Sequence, residues 1–442
     1  MKLNAYLAKS TLIGALGGLL FGFDTAVISG TTDALTHIYQ LSPWLHGITV
    51  ASAIIGTILG AAFASVPGER IGRRGSLKLT AVLYLISALG CAFAWNWMAL
   101  IVFRLIGGLG IGASSVLGPM YIAEIAPAKL RGRLVGVFQF FIVFGILLAY
   151  FSNYLVSRGG LGVLEWRWEF GVAILPAALF FVLLFAIPRS PRWLVKTGRL
   201  EEAQSVLQKL GEENSEQEVK DIAESIHLER SQQQEPLFSR KYALPIFLAV
   251  SIGMFNQLAG INAVLYYLND IFAFAGYSEV SSNLQAVAIG ATNLLFTMIA
   301  MAVIDKIGRK TLLLIGAAGT AACLTGVATI FFTHHNRNYL LWILVAYIAF
   351  FAFSQGAVIW VYLAEVFPNA VRAKGQSLGS FSHWFMNGLI SLTFPVLAAS
   401  SGAYPFVFFA VMTVLQFFVV MFFYPETKGV TLEEMQKKLG IA

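Results

Sequence analysis

The sequence predicts an all-α integral membrane protein with twelve transmembrane helices in two six-helix halves and a cytoplasmic helical linker. Three observations predict it. Of 442 residues, 57% are hydrophobic and only 12% are charged, whereas an ordinary soluble domain carries about 25% charged residues. Apolar runs of about 20 residues recur along the chain, each long enough to cross ~30 Å of hydrocarbon. Motifs in the first half also return in the second.

The apolar runs place spans at 9–30, 46–66, 77–95, 98–124, 134–157, 168–187, 243–268, 284–304, 311–333, 339–364, 375–398 and 403–424. The first run lacks a small-residue cleavage site and is taken as span 1, not as a leader. The net charge of +7 is distributed as topology, not as a nucleic-acid surface. Segments after spans 2, 4, 6, 8 and 10 hold Arg70, Arg73, Arg74, Lys129, Arg131, Arg133, Lys306, Arg309, Lys310 and Arg372. Segments after spans 1, 3, 7 and 11 hold no Lys or Arg, and those after spans 5 and 9 hold only Arg158, Arg167 and Arg337. Positive charge marks the cytoplasmic side, so both termini are expected there.

The hydrophilic stretch in mid-chain divides the sequence six plus six. The expected organisation is a first half at 1–188, a linker at 189–241, a second half at 242–424 and a tail at 425–442. Ala203, Val206, Leu207 and Leu210 fall at i, i+3, i+4 and i+7, which predicts an amphipathic helix over Leu200 to Glu229. It is either a solvated tether or a cytoplasmic latch. Cys91 and Cys323 lie in apolar runs and are expected to be small buried hydrophobes, with no metal site or disulfide.

Gly72-Arg73-Arg74 matches Gly308-Arg309-Lys310, and Tyr121-Ile122-Ala123-Glu124 matches Tyr362-Leu363-Ala364-Glu365. Ile187-Pro188-Arg189 and Tyr424-Pro425-Glu426 close the two halves alike. A parallel repeat of six spans is the build of alternating-access carriers, which hold substrate near the midplane. An enzyme is not expected, because no Ser/His/Asp set, metal cluster or phosphate loop appears. The glycine-rich runs at 14–22 and 107–110 sit inside spans and predict close helix packing.

Carboxylates recur beside the inner-end bases. Glu69 precedes Arg73 by four residues and Asp305 precedes Arg309 by four; Glu124 and Arg131 flank Pro127, and Glu365 and Arg372 flank Pro368. Positive-inside topology explains the bases but not the acids, so a charged gate that opens on rocking is expected. Asp24 stands inside span 1, where an ionised carboxylate at the helix centre costs about 2.5–3.5 kcal/mol on insertion scales. Arg104 is the basic residue deep in span 4. Each lies roughly 9 Å below the outer surface, so the two are expected to pair.

Gly72-Arg73-Arg74 after span 2, Arg131-Gly132-Arg133 after span 4, Pro191-Arg192-Trp193-Leu194 after span 6 and Pro425-Glu426-Thr427-Lys428-Gly429 after span 12 resemble the sugar porter family of the major facilitator superfamily. The likeness runs over nearly the whole chain. It is greatest to bacterial proton-coupled hexose and pentose symporters and to the mammalian glucose facilitators. The resemblance implies the major facilitator fold, a monosaccharide substrate, a proton as coupling ion and no other cofactor. It further implies a multi-pass protein of a bacterial inner membrane, working as a monomer in the lipid bilayer. Proton-coupled members carry this Asp and this Arg, which gives Asp24 and Arg104 a coupling role; the facilitators have Asn for the Asp.

Sugar hydroxyls both donate and accept, and neutral amides answer both. The resemblance carries substrate binding to Gln257, Asn262 and Tyr266 in span 7 and to Asn256, which replaces a Gln. It adds Gln139 in span 5, Asn293 in span 8, Trp360 in span 10, and Trp384 and Asn387 in span 11. On an ideal helix Asn262 and Tyr266 share a face, but Gln257 and Asn262 stand about 140° apart. Both can meet one substrate only if span 7 breaks near Gly260.

Three positions depart from the family pattern. His383 replaces an amide before Trp384; it could donate to sugar, titrate, or pack as a neutral ring. Gly356-Ala357 lacks the usual Pro, and Arg189 replaces a usual Glu, which removes a carboxylate from the inner network of the first half. A proton-independent facilitator and a non-transporting sugar sensor are the alternatives. The short segment from Pro425 to Ala442 argues against the sensor.

Overall fold

The computed structural model describes residues 4–127, 130–231, 235–368, 370–430 and 432–441. Lys129, one of the inner-side bases, lies outside them. The described residues form helices and no strand. Eleven stretches among them are long and apolar enough to cross a membrane. They are Ala5–Tyr39, Pro43–Arg70, Gly72–Ala92, Trp97–Ile125, Arg131–Ser157 and Gly162–Ala186 (spans 1 to 6), then Arg240–Tyr266, Glu279–Ile307, Arg309–Thr333, Arg337–Glu365 and Tyr404–Phe423 (spans 7 to 10 and 12).

The expected span 11 is the helix Arg372–Ser400, as long as its neighbours at 29 residues. Its Ser, His and Asn residues lower its hydropathy. Those side chains are turned inward: Ser382, His383, Asn387 and Ser391 are all buried. Large apolar side chains cover much of the outer surface of the other spans, as at Leu175 (76% exposed) and Phe422 (70%). Such a surface suits a lipid solvent.

Helix ends follow local chemistry. Asn96 caps span 4 by accepting from the Ala99 N–H at 2.8 Å. Ser190 caps the helix Pro191–Lys196, accepting from the Trp193 N–H, with Pro191 at the first position where no donor is needed. Span 1 runs nine residues past its expected end at residue 30, to Tyr39. Thr31 and Thr32 return hydroxyl bonds to the carbonyls of Ile28 and Ser29, and Leu35 is buried, so this polar stretch stays helical.

Contacts define two compact units. The first comprises Met1–Val27, Ser52–Ser152 and Leu161–Gln232. In it, a methyl group on Gly22 would lie 1.9 Å from the Ile142 carbonyl oxygen, and one on Gly108 the same distance from that of Ala53. Spans 1 and 5, and spans 2 and 4, therefore touch backbone to backbone, as the glycine runs predict. Most of the linker belongs to this unit, and its last residues, from 235 on, belong to the second. The amphipathic stretch is not one helix but two, Leu200–Lys209 and Ser215–Ser231, because Gly211 takes φ +92° and ends the first. Ala203, Val206, Leu207 and Leu210 join one core with Tyr121, Ile125 and Trp193. Full burial of a Val or Leu contributes about 1.5–3 kcal/mol. The first of these helices is therefore docked, not a solvated tether.

The second unit comprises Ile28–Ala51, Asn153–Gly160 and Gln233–Ala442. It holds the C-terminal end of span 1, the start of span 2 and all of spans 7 to 12. Gly47 lets span 2 meet span 11 closely, since a methyl group there would lie 2.2 Å from the Leu392 carbonyl oxygen. Tyr362, Phe367, Tyr424, Met435 and Leu439 share the core at its inner end.

Candidate functional site

Span 7 is broken where two amides require it. The helix Ala243–Leu258 ends at Ala259, Gly260 takes φ +86°, and the chain resumes as Ile261–Tyr266 and Leu268–Phe274. The turn brings Asn262 back over Gln257, and the Asn262 amide donates to Gln257 Oε1 at 3.0 Å. Gln257 in turn donates to Asn256 Oδ1 at 3.1 Å, and its amide nitrogen lies 3.2 Å from the nearer ring nitrogen of His383. Asn256 donates to the Gln355 carbonyl at 3.3 Å. One further piece of span 7 is tied to span 11: Asn387 donates to the Tyr266 hydroxyl at 3.1 Å and accepts from Ser391 at 3.2 Å.

Aromatic rings flank this set. The His383 ring lies 5.2 Å from that of Trp360 and 5.1 Å from that of Trp384. Trp384 is buried, while Trp360 is 41% exposed. His383 is thus buried between two indoles and beside an amide. Asn293 is buried on span 8 and stands outside this bonded set. Gln139 is half-buried on span 5 and belongs to the first unit. Span 10 is interrupted without the Pro: Ser354 takes φ −121° and ψ −90°, separating Leu340–Phe353 from Gln355–Glu365. The Ala357 N–H donates to the Ser354 carbonyl at 3.2 Å, a bond that Pro could not make.

In the first unit, Asp24 lines a small cavity with Tyr84, Ser87, Cys91 and Phe170. A methyl group on Gly107 would sit 3.8 Å from the Asp24 carboxylate, so that carboxylate faces span 4 one turn from Arg104. Arg104 is buried, and its guanidinium lies 5.6 Å from the centre of the Phe170 ring that closes the same cavity. Glu169, next to Phe170, is a buried carboxylate, whereas Asp24 is half-buried. It falls at the expected outer end of span 6, where an acid raises no alarm in a hydropathy pattern.

Each of the two units carries the same construction at the end that bears its Gly-Arg motif. Arg73 donates through Nε to Glu124 at 2.9 Å and through a terminal nitrogen to the Gly68 carbonyl. Arg309 donates to both oxygens of Glu365, at 2.8 and 3.2 Å, and to the Ile304 carbonyl. Ser190 donates to Glu124 as Thr427 does to Glu365. Tyr121 bonds the Pro188 carbonyl as Tyr362 bonds that of Pro425. Asp305 adds a contact to Arg309 at 2.9 Å.

Three expected neighbours differ. Glu69 contacts Lys196 at 3.4 Å and not Arg73, whose guanidinium is drawn to the less exposed Glu124. Arg131 is exposed and lines a cavity of about 710 Å³ with Glu124, Arg192 and Glu218. Arg372 donates to the Phe367 carbonyl at 3.2 Å, leaving Glu365 to Arg309. Arg189 also diverges from its repeat counterpart Glu426. It approaches Glu202 at 3.9 Å and lies over the Trp193 ring.

Glu426 caps span 9, accepting from the N–H groups of Arg309, Lys310, Thr427 and Lys428 at 2.9–3.1 Å. Burial pushes its carboxyl up, but these four donors outweigh burial and hold it below the usual glutamate range. A depressed folded value means that the stabilisation is present above the unfolded pKa of about 4.3 and is lost as pH falls through the folded one. Glu426→Gln is therefore expected to lower Tm by about 1 °C near neutral pH. The loss is about 1 kcal/mol once solvent screening is allowed for. Tm against pH should show a weaker acid limb in the variant. Superimposable curves for the two proteins would refute this capping role.

Ser190, Thr427 and Glu426 carry no signal in hydropathy or charge spacing. Their repeat registry, two or three residues past the end of each half, marks them, as does the 425–429 motif for Glu426 and Thr427.

The family described as "Sugar (and other) transporter" matches residues 10–439. The chain is 38% identical to the D-xylose-proton symporter of Escherichia coli K12, with 98% of this chain and 96% of that protein covered. It is 37% identical to the arabinose-proton symporter of Bacillus subtilis 168, with 96% of this chain and 92% of that protein covered. Among solved structures, the inward open conformation of the xylose transporter XylE from E. coli matches with a TM-score of 0.88 at 37% identity, covering 98% of this chain and 100% of that one. XylE bound to 6-bromo-6-deoxy-D-glucose, titled a major facilitator superfamily proton:xylose symporter, matches at 0.78, covering 98% of this chain and 99% of that one. The fold is that of a multi-pass membrane transporter and not of an enzyme. The chain belongs to the sugar transporter family of the major facilitator superfamily.

Proposed function

We propose that this protein is a proton-coupled monosaccharide symporter of a bacterial inner membrane, taking a pentose such as xylose or a hexose such as glucose by alternating access. The observation that carries the proposal is the amide cluster at the break of span 7. Gln257 and Asn262 lie within 3.0 Å there, beside Asn256 and beside His383, whose ring lies 5.2 Å from that of the part-exposed Trp360. Convergent amides with an aromatic wall suit a ligand whose every hydroxyl donates and accepts. Relatives covering nearly the whole chain carry the names of xylose and arabinose proton symporters.

In this mechanism Gln257, Asn262, Tyr266 and Asn387 hold the sugar, and Asn256 orients Gln257. His383 contributes a ring nitrogen, and Trp360 and Trp384 stack. Gln139, in the half 1–188, and Asn293, in the half 242–424, are further substrate-binding residues. Asp24 takes the proton beside Arg104. Glu69, Arg73, Glu124, Arg131, Asp305, Arg309, Glu365 and Arg372 form the cytoplasmic gate. Both termini face the cytoplasm, and the monomer is the working unit.

The test is uptake of a labelled panel of glucose, galactose, xylose and fructose by cells with and without a protonophore. One sugar should accumulate severalfold, and the protonophore should abolish its accumulation. Equilibration unaffected by the protonophore would make the protein a facilitator, and uptake of no monosaccharide would reject the proposal.

A further inference from the structure

The second unit holds a titratable pair that the coupling mechanism does not use. His46 stands on the first turns of span 2 and Asp270 on the last helical piece of span 7. His46 Nε2 and Asp270 Oδ2 are 3.9 Å apart, with side chains only 14% and 13% exposed. That separation is too long for a hydrogen bond. Neither atom has a hydrogen-bond partner among the described residues. Both line a cavity of about 180 Å³, closed by Thr36, Leu41, Tyr267 and Phe394. It has room for water, whose share of liquid volume is about 30 Å³ per molecule.

The imidazole is held in place. Its ring meets that of Tyr267 edge-on at 5.2 Å, and Tyr267 is anchored by its hydroxyl to the Ser391 carbonyl at 2.7 Å. Titratable groups on the neighbouring elements are mostly acidic. Span 1 brings Asp33, which acts on Asp270 and contacts His37 at 3.5 Å, and Thr32, whose hydroxyl lies beside Asp270. Span 8 brings Glu279, within electrostatic reach of Asp33. The loop before span 10 brings Arg337, which donates to the Ala275 carbonyl at 3.2 Å. Span 11 contributes Phe394, Pro395, Ala398 and Ala399, none of them titratable. Of these neighbours, Thr32 and Asp33 bear on Asp270 itself.

We infer that His46 and Asp270 form a second proton-binding site, at the outer end of the transporter, which latches span 2 to span 7 when a proton from the outer medium binds. The inference rests on the alternating-access reading, in which His46 moves with the first six spans and Asp270 with the last six. A proton taken from external water is held between the imidazole nitrogen and the carboxylate oxygen, and the hydrogen bond it makes draws the two helices together. Loss of that proton leaves a neutral ring and a weaker contact. External acid therefore favours the outwardly closed state independently of Asp24.

The test measures counterflow of a transported monosaccharide in proteoliposomes, with external pH varied between about 5 and 8, where imidazole titrates, and internal pH fixed. Asp24→Asn is the background, so that the coupling carboxylate does not titrate. Exchange should change roughly fivefold over this range, the low end of usual site couplings. Adding His46→Gln or Asp270→Asn should abolish the change, and both together should do no more than either alone. In the otherwise native protein, Leu41→Cys reports the cavity through its reaction with an impermeant maleimide. Its labelling rate, divided by that of the same protein with Asp270→Asn at each pH, should fall as the medium is acidified. A pH slope that survives His46→Gln, or a labelling ratio independent of pH, overturns the latch. Absence of any sugar exchange in the wild type would instead refute the transport reading, and the labelling ratio would still decide the proton site.

Discussion

Asp24→Asn is expected to abolish concentrative sugar uptake while leaving counterflow exchange intact. The Asp24 carboxylate faces span 4 beside the buried Arg104, in a cavity closed by Phe170. A charge there is costly unless it is neutralised by a proton or by the neighbouring guanidinium, and conformation decides which. In the proposed cycle, a proton from outside releases Asp24 from Arg104, the carrier turns with its sugar, and inward release of the proton resets it. One proton crossing 100 mV supplies about 2.3 kcal/mol. At 1.36 kcal/mol per tenfold, this sustains roughly 50-fold accumulation. Asn has nearly the shape of a protonated Asp and cannot ionise, so the variant should equilibrate sugar without concentrating it, a loss of up to that 50-fold. Its sugar KM in exchange should move little, because the amides of span 7 lie elsewhere. The measurements are accumulation ratio and counterflow in the same vesicles, with sugar-evoked alkalinisation as a third readout. Wild-type accumulation by the variant would remove Asp24 from the coupling mechanism.

The helices were legible because hydrocarbon demands long apolar runs, and most of their ends lie within a few residues of the expected positions, the far end of span 1, nine residues longer, being the exception. The polar span 11 was also legible, although its composition is that of a helix lining a site. Its Ser382, His383, Asn387 and Ser391 face inward. The break in span 7 could be foreseen because Gln257 and Asn262 sit on different faces of an ideal helix, with a glycine between them. Partner choice was less legible. Spacing puts Glu69 one turn from Arg73, but a guanidinium settles where its several donors are all met, and here that is Glu124 with the Gly68 carbonyl. The same rule gives Glu365 to Arg309 and leaves Arg372 on a backbone carbonyl. A pattern of apolar residues likewise cannot distinguish one linker helix from two, because Gly211 ends the first without disturbing the buried face. The meeting of His46 with Asp270 joins residues more than two hundred positions apart, and no local periodicity records it.

Gly260→Ala is expected to damage sugar binding more than removal of any one hydrogen bond in the cluster. Two constraints meet at this residue. Its φ is +86°, where a side chain costs roughly 1–2 kcal/mol. A methyl group would also lie 2.4 Å from the Phe409 ring, and such overpacking costs typically about 1–3 kcal/mol. Relaxation has two routes, and each disturbs the site. If Phe409 retreats, it loses its stacking on Phe394, whose centroid is 6.5 Å away. If Gly260 returns to helical angles, Asn262 swings toward its ideal-helix position about 140° from Gln257, and their 3.0 Å bond is broken. The amides then no longer converge. A loss of about 1.4–2.8 kcal/mol of binding raises KM roughly 10- to 100-fold. A double substitution separates the two constraints. Phe409→Ala in the Gly260→Ala background removes the clash but not the left-handed angle, so it should restore part of the thermal stability and little of the affinity. If Gly260→Ala keeps both wild-type KM and wild-type Tm, the break does not organise the site, and the role proposed for Gln257 and Asn262 as a converging pair fails with it.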